Sequence, residues 1–327
     1  MKLTRKKYWR GILCVTALIF SSAPLFSLDA EFEKLKSAAS IPAASLSVRT
    51  VTNRAVYAVY EQTFFEIDTG ARKYKLRYTS FLGAYAFLNP KYLNDGCSGY
   101  GMLSPFPNWY QNGFIGVALD GAGGPNISTI QAKVRILADK GPCVAYDLVF
   151  TGENGTIVVR TAALAGREEL FVSVFGWLEQ GSIKGITTWF YGFPLGFKGP
   201  FDRWVHADGQ DIRNAGKERK AFPLAGQGKS WLLLADHQAD SDGKEGGLLG
   251  LIFDKSAISR AEAVHCSNYG ITITFVGDAG KEQRFIVYTF DAMKWETARA
   301  RIAQENNSVE LLDQVFRDLP HPRKKDK

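Results

Sequence analysis

The sequence predicts an all-β protein, a large antiparallel β-sandwich closed by a short helical cap at its C-terminus. Three observations carry this expectation. Short runs rich in Val, Ile, Phe, Tyr and Thr recur from Ala44 to Phe290, which is strand chemistry. Turn signals such as DKGP, GENG and AGRE separate them, at roughly the 8–12-residue spacing of antiparallel sheets. The apolar period lengthens to three and four only beyond Phe290, and helices that follow strands rather than alternate with them do not build a parallel α/β sheet.

The chain opens MKLTRKKYWRGILCVTALIFSSAPLFSLDA. Five basic residues precede an apolar run from Gly11 to Phe20, then small and polar residues follow. That order is the pattern of a secretory signal peptide over residues 1–30, with cleavage after Ser27 or Ala30. The apolar run is shorter than the roughly 20 residues of a membrane-spanning helix, so no span is expected after cleavage; an uncleaved N-terminal anchor is the alternative. The expected location is periplasmic or secreted. Residues 31–327 are then one β-sandwich domain, with helices from about residue 292.

EFEKLKSAA, from Glu31, predicts a short helix. SLSVRTVTNRAVYAVYEQTFFEI has strand chemistry, TGARK is a turn, and YKLRYTSFLGAYAFL resumes extended structure. Residues 89–126 are dense in Gly, Pro, Asn and aromatic residues and predict a long loop or broken hairpin, a common location for function. Strands resume from Ser128 to Leu178 and again in SWLLLADHQ, GGLLGLIFD, GITITFVGD and QRFIVYTF. DAMKWETARARIAQENN and SVELLDQVFRDLP predict two helices, the first capped by Asp291 and the second stopped by Pro320.

Charge and cysteine usage narrow the function classes. The formal net charge is +7, but the leader and the tail RKKDK supply all of it. A neutral body gives no reason to expect nucleic acid as a partner. Beyond the leader, Cys97, Cys143 and Cys266 allow one disulfide and one thiol without fixing the pair. No CxxC or HExxH pattern occurs, and DHQADSDGKEGG lacks EF-hand spacing, so neither metal nor cofactor is expected. G-x-S-x-G is absent, and GAGGPN lacks the Lys-Ser/Thr of a phosphate cradle.

VRILADKGPCVAYDLVF, followed by TIVVRTAALAGREELFVSVFGWLEQGSIKGITTWFYGFPLG, resembles part of a galactose-mutarotase-like supersandwich. The Gly141-Pro142 pair between strands and the strand texture over residues 44–290 carry the resemblance. It implies carbohydrate handling, since mutarotases, polysaccharide lyases and accessory domains of glycoside hydrolases share the fold; no family catalytic motif falls on these residues.

A sugar site combines flat aromatic faces with planar polar groups. Two stretches supply both. One holds Trp109 and Tyr110. The other, RWVHADGQDIRN, holds Arg203, Trp204, His206, Asp208, Asp211 and Arg213, and its Ala-Asp-Gly-Gln also reads as a plain turn. His206 is the leading acid–base candidate and His237 the second; a strand-end histidine bonded to a turn, and a solvated hairpin, are the packing alternatives. Arg203 or Arg213 would hold developing negative charge. The expected function is an exported carbohydrate-active protein, a polysaccharide lyase or epimerase-like enzyme. The alternative is a non-catalytic glycan-binding or periplasmic interaction protein. The expected substrate-binding residues are Trp109, Tyr110, Trp204, Asp208 and Asp211, and oligomeric state is not legible.

Overall fold

The computed structural model describes residues 43–54, 58–84, 99–105, 114–120, 125–127, 130–178, 185–192, 203–207, 209, 211–213, 219–222, 228–235, 248–265, 271–278, 280–290, 293–305, 314–316 and 319. All belong to one compact unit, Pro42–Lys327. The first strands are β1 (Ala44–Arg54), β2 (Ala58–Asp68), β3 (Lys73–Ala84), β4 (Gly99–Ser104), β5 (Ile115–Asp120), β6 (Ala132–Ala138), β7 (Lys140–Gly141), β8 (Cys143–Gly152), β9 (Gly155–Leu164) and β10 (Leu170–Leu178). Then come β11 (Gly185–Gly192), β12 (Arg203–His206), β13 (Asp211–Arg213), β14 (Arg219–Phe222), β15 (Lys229–Ala235), β16 (Leu248–Asp254), β17 (Arg260–His265), β18 (Ile271–Gly277), β19 (Gln283–Phe290) and the helix α1 (Trp295–Glu305).

The strands form two antiparallel sheets, as the sequence predicts. The front sheet runs β14-β17-β18-β11-β5-β4-β3-β2-β1-β7 and the back sheet β13-β12-β15-β16-β19-β10-β9-β8-β6. The DKGP turn links them: β7 pairs with β1 of the front sheet, and β8 follows at once in the back sheet. Gly141, at φ +128°, takes a backbone conformation that side chains disfavour.

Residues 89–126 take the broken-hairpin form of the two expected: β4 and β5 lie within them, pair through Tyr100 and Ile115, and join the middle of the front sheet. Gly99, Gly101 and Gly116 made these strands resemble connecting segments, yet all three are buried. At the C-terminus, α1 starts at Trp295, a turn later than the pattern suggested, and residues 314–316 are helical. The expected helix from Glu31 and the Asp291 cap lie outside the described residues.

Period-two alternation sends one side-chain set of each sheet into the space between them. Phe65 stacks on Tyr146 with centroids 4.0 Å apart, and Tyr78 meets Phe150 edge-on at 5.7 Å. Phe190, Phe275, Phe285 and Phe253 continue the seam, at centroid separations of 4.8 to 6.1 Å. Each such pair adds about 0.5–1.5 kcal/mol beyond the area it buries. Tyr100 spends its hydroxyl on Tyr146 and on Thr161 (2.9 Å), so this polar pair is satisfied inside the core.

The outer face of the back sheet is covered in part by α1. Trp295, Ala298 and Ile302, spaced for one helical face, join Trp231, Leu233, Leu248, Ile252 and Phe290 in an apolar cluster. Gly250 allows the approach, since a Cβ there would sit 2.5 Å from Ile302 Cδ1. Further along this face a charged row crosses the strands. Asp147, fully buried, accepts from Arg160 Nε at 2.7 Å and from Arg135 Nε at 3.2 Å. Among the described residues no helix is long and apolar enough to cross a membrane.

Two predictions follow from this packing. Asp147→Asn removes the charge that balances the buried Arg160, and breaking such a pair costs about 3–5 kcal/mol; a lowered denaturant midpoint at unchanged m-value checks it. Burial also raises the phenol pKa of Tyr74, Tyr100, Tyr146 and Tyr288 above the ordinary value. The unfolded chain therefore gives up these protons before the folded one. The stability they contribute is intact below about pH 10 and is lost as pH rises beyond it. Tyrosinate absorbance that appears together with loss of near-UV circular dichroism, rather than ahead of it, is the expected result.

Candidate functional site

The segment that looked most chemical is a hairpin. β12 and β13 pair through Trp204 and Ile212, Gly209 turns the chain at φ +89°, and its N–H donates to the His206 carbonyl at 2.9 Å. Arg203 and His206 sit three residues apart on one strand, so they face opposite ways. Arg203 lies on the outer side, its guanidinium 3.8 Å from the Trp295 ring centroid and forked onto Asp211 at 3.0 and 2.8 Å. His206 and Trp204 point inward; His206 Nε2 and Ser230 Oγ are 2.8 Å apart, and Trp204 is 1% exposed. The structure thus joins Arg203 to Asp211 and separates both from His206 and Trp204. These surroundings are those of packing side chains: an arginine clamping α1, and an indole and imidazole filling the sandwich. Trp109, Tyr110, Asp208 and His237 lie outside the described residues. Cys143 is a half-buried thiol directed at the Val144 carbonyl, 3.7 Å away; Cys97 and Cys266 are outside the described residues.

The outer face of the front sheet has a different character. Its interior-facing residues, such as Ile186, Phe190, Ile271, Ile273 and Phe275, are fully buried, whereas the alternate set is half-buried: Thr187 and Trp189 on β11, and Thr272, Thr274 and Val276 on β18. Pairing registers draw one straight row over this face. Gln62 stands opposite Thr79, Thr79 opposite Gly99, Trp189 opposite Gly116 and Thr274, and Thr274 opposite Glu262. The Tyr100–Ile115 pair sets Gly99 beside Gly116 and closes the row. It spans seven adjacent strands, β2 to β17.

At its centre, glycine makes room for an aromatic plate. A Cβ on Gly116 would lie 2.0 Å from Trp189 Cε2 and 2.1 Å from Nε1, so the indole rests directly on the glycine backbone. Gly99 and Gly101 extend this floor beneath β4. Polar groups border it. Gln62 Nε2 donates to Thr79 Oγ1 at 3.4 Å, and Thr187 donates to Asp120 Oδ2 at 3.1 Å. Arg77 stands one step along β3 from this row, directly opposite Phe64; burial pushes its guanidinium pKa down from the ordinary value. A flat indole beside hydroxyl and carboxylate groups, with a guanidinium and an amide farther along the same face, is a combination that suits a saccharide chain. Among the described residues no cluster of His, Cys, Asp or Glu is arranged to hold a metal ion.

Sequence reasoning missed Trp189, Gln62, Arg77 and Glu262. One signal was available: glycines inside strand-like GYGML and IGVAL mark places where something approaches the backbone closely.

No protein family's sequence pattern matches the chain, and no curated protein matches it. Solved structures do show similarity of fold. A candidate aldose 1-epimerase from Klebsiella pneumoniae superposes with a TM-score of 0.47 at 10% identity, over 82% of this chain and 96% of that one. An alpha-mannosidase from Enterococcus faecalis gives 0.44 at 8% identity, and the galactosidase domain of an alpha-galactosidase-sucrose kinase gives 0.41 at 15%. They cover 86% and 71% of this chain, which spans only 41% of each of those chains. These are likenesses of fold alone.

Gly116→Ala tests the plate. The added methyl displaces the Trp189 indole, raises its accessibility to acrylamide quenching and lowers stability by about 1–3 kcal/mol, as overpacking does.

Proposed function

We propose that the protein is an exported carbohydrate-handling protein that binds a saccharide on the outer face of its front sheet. The observation that carries this reading is the Trp189 indole resting on Gly116, with polar side chains along the same cross-strand row. The indole offers an apolar face to the C–H groups of a ring. The Thr187–Asp120 pair, and Thr274 opposite Trp189 on β18, offer hydroxyl and carboxylate partners to its oxygens. The expected sequence features of export, a basic start and a short apolar run, agree with a ligand met outside the cytoplasm.

Binding is favoured over turnover by the spacing of proton-exchanging groups. Lyase or epimerase chemistry needs an acid or base at the reacting carbon. The described carboxylates on this face are Glu66 and Asp68 on β2, Asp120 on β5 and Glu262 on β17. Glu66 and Asp68 are neighbours, but each is paired with a lysine, Lys75 at 2.7 Å and Lys73 at 3.1 Å; Asp120 and Glu262 stand three strand spacings apart.

The test is saccharide binding by calorimetry against a glycan panel. Trp189→Ala is expected to weaken affinity by about tenfold or more, the loss on removing a stacked aromatic anchor, measured at a temperature where circular dichroism shows the variant folded. Unaltered affinity in Trp189→Ala would remove this face from the proposal. Formation of an unsaturated product from a uronic-acid polymer would restore the lyase reading.

A further inference from the structure

The saccharide face carries its charge unevenly. On β1, β2 and β3 the outward residues include Arg49, Lys73, Lys75 and Arg77 against two carboxylates, Glu66 and Asp68. Both carboxylates are already engaged by lysines, Glu66 by Lys75 at 2.7 Å and Asp68 by Lys73 at 3.1 Å. Arg49 and Arg77 are the further cations of this patch. They flank one aromatic ring: Phe64 stands opposite Arg49 on one side and Arg77 on the other, and the Arg49 guanidinium lies 4.8 Å from the ring centroid. Farther along the face Asp120 stands on β5, and at the far end Glu262 faces the same way as Arg260 on β17.

We infer that the ligand is an extended anionic glycan, laid across the strands, with its acidic groups over Arg49 and Arg77 and its chain continuing to Trp189. This rests on the saccharide-binding reading above. Length follows from geometry. Phe64 on β2 and Trp189 on β11 are four strand spacings apart, roughly 19 Å at about 4.8 Å per spacing. One sugar ring cannot touch both. Charge follows from the guanidinium fork, which matches a carboxylate or sulfate in two parallel hydrogen bonds. Arg77 is also engaged within the face, so exposed Arg49 is the group an arriving anion meets first.

The experiment is calorimetric titration of the full protein with oligogalacturonates from monomer to hexamer, beside neutral cello-oligosaccharides of equal length, at low and high salt. Expected are uronate affinities that rise with length past the dimer, exceed the neutral series and weaken with added salt. Arg49→Gln should lower uronate affinity roughly threefold, as loss of one exposed charge contact does, and leave neutral binding alone. Arg77→Gln should lower it roughly tenfold, with Arg77→Lys retaining the salt dependence. If Arg77→Gln does not fold, exposed Arg49 decides the matter alone. Equal affinity for neutral and acidic series, or no effect of Arg49→Gln, overturns the anionic assignment and leaves saccharide binding standing. A monomer bound as tightly as the hexamer overturns the extended ligand. Binding of neither series removes the saccharide reading, and this inference with it.

Discussion

Everything on the front sheet depends on the aromatic seam between the two sheets. Phe65 against Tyr146, Tyr78 against Phe150, and Phe190 among Phe275 and Phe285 lock the register of each strand. A one-residue slip would turn this set outward and every polar partner inward, so the seam specifies which residues are available for recognition. Phe190 is committed inside, and Trp189 is therefore outside; Tyr78 is committed, and Arg77 and Thr79 are therefore on the opposite face. Which residues this sheet turns outward is a consequence of packing decided one residue away.

The two outer faces have divided the work. On the back sheet, α1 and the helical turn at 314–316 join β12, β15, β16 and β19 in the apolar cluster. Arg203 stacks on Trp295, and Arg301 reaches Glu168 at 2.6 Å. Beyond the helix, Asp147 and its two arginines use their charge on each other. These charges stabilise only as a set, since removing one partner leaves an uncompensated buried ion. The front sheet keeps Gln62, Trp189 and Thr274 of its outward row half-buried and Thr79 and Glu262 more deeply placed, with amide, hydroxyl and carboxylate groups distributed across seven strands. A ligand site is better placed on the face whose polar groups remain within reach of solvent.

Much of the architecture was legible because it is written locally. Alternation in ITITFVG and the Gly-rich turns DKGP and GENG announce strands and their ends without reference to the rest of the chain. The site was less legible for a physical reason. RWVHADGQDIRN concentrates polar and aromatic residues, but the partner that explains Arg203 is Trp295, far along the chain, and the one that explains His206 is Ser230 on the neighbouring strand. Composition cannot distinguish a clamp from a catalytic cation. β4 and β5 show the converse: glycine inside a strand looks like a loop until the side chain lying on it is known, and for Gly116 that side chain comes from β11.

That glycine also bears on how tightly a ligand can be held. Glycine within a strand weakens it, through lost packing and added freedom in the unfolded chain. Gly99, Gly101 and Gly116 place this weakness at the middle of the front sheet, where a β-branched residue would favour the strand. In return the Trp189 indole lies flat on the backbone, with no side chain between them. A plate ordered during folding has no rotamer freedom left to lose when a ring stacks on it, so more of the contact energy appears as affinity. Destabilised strands beneath a fixed aromatic plate are hard to account for by stability alone; they make sense if the plate is there to be touched.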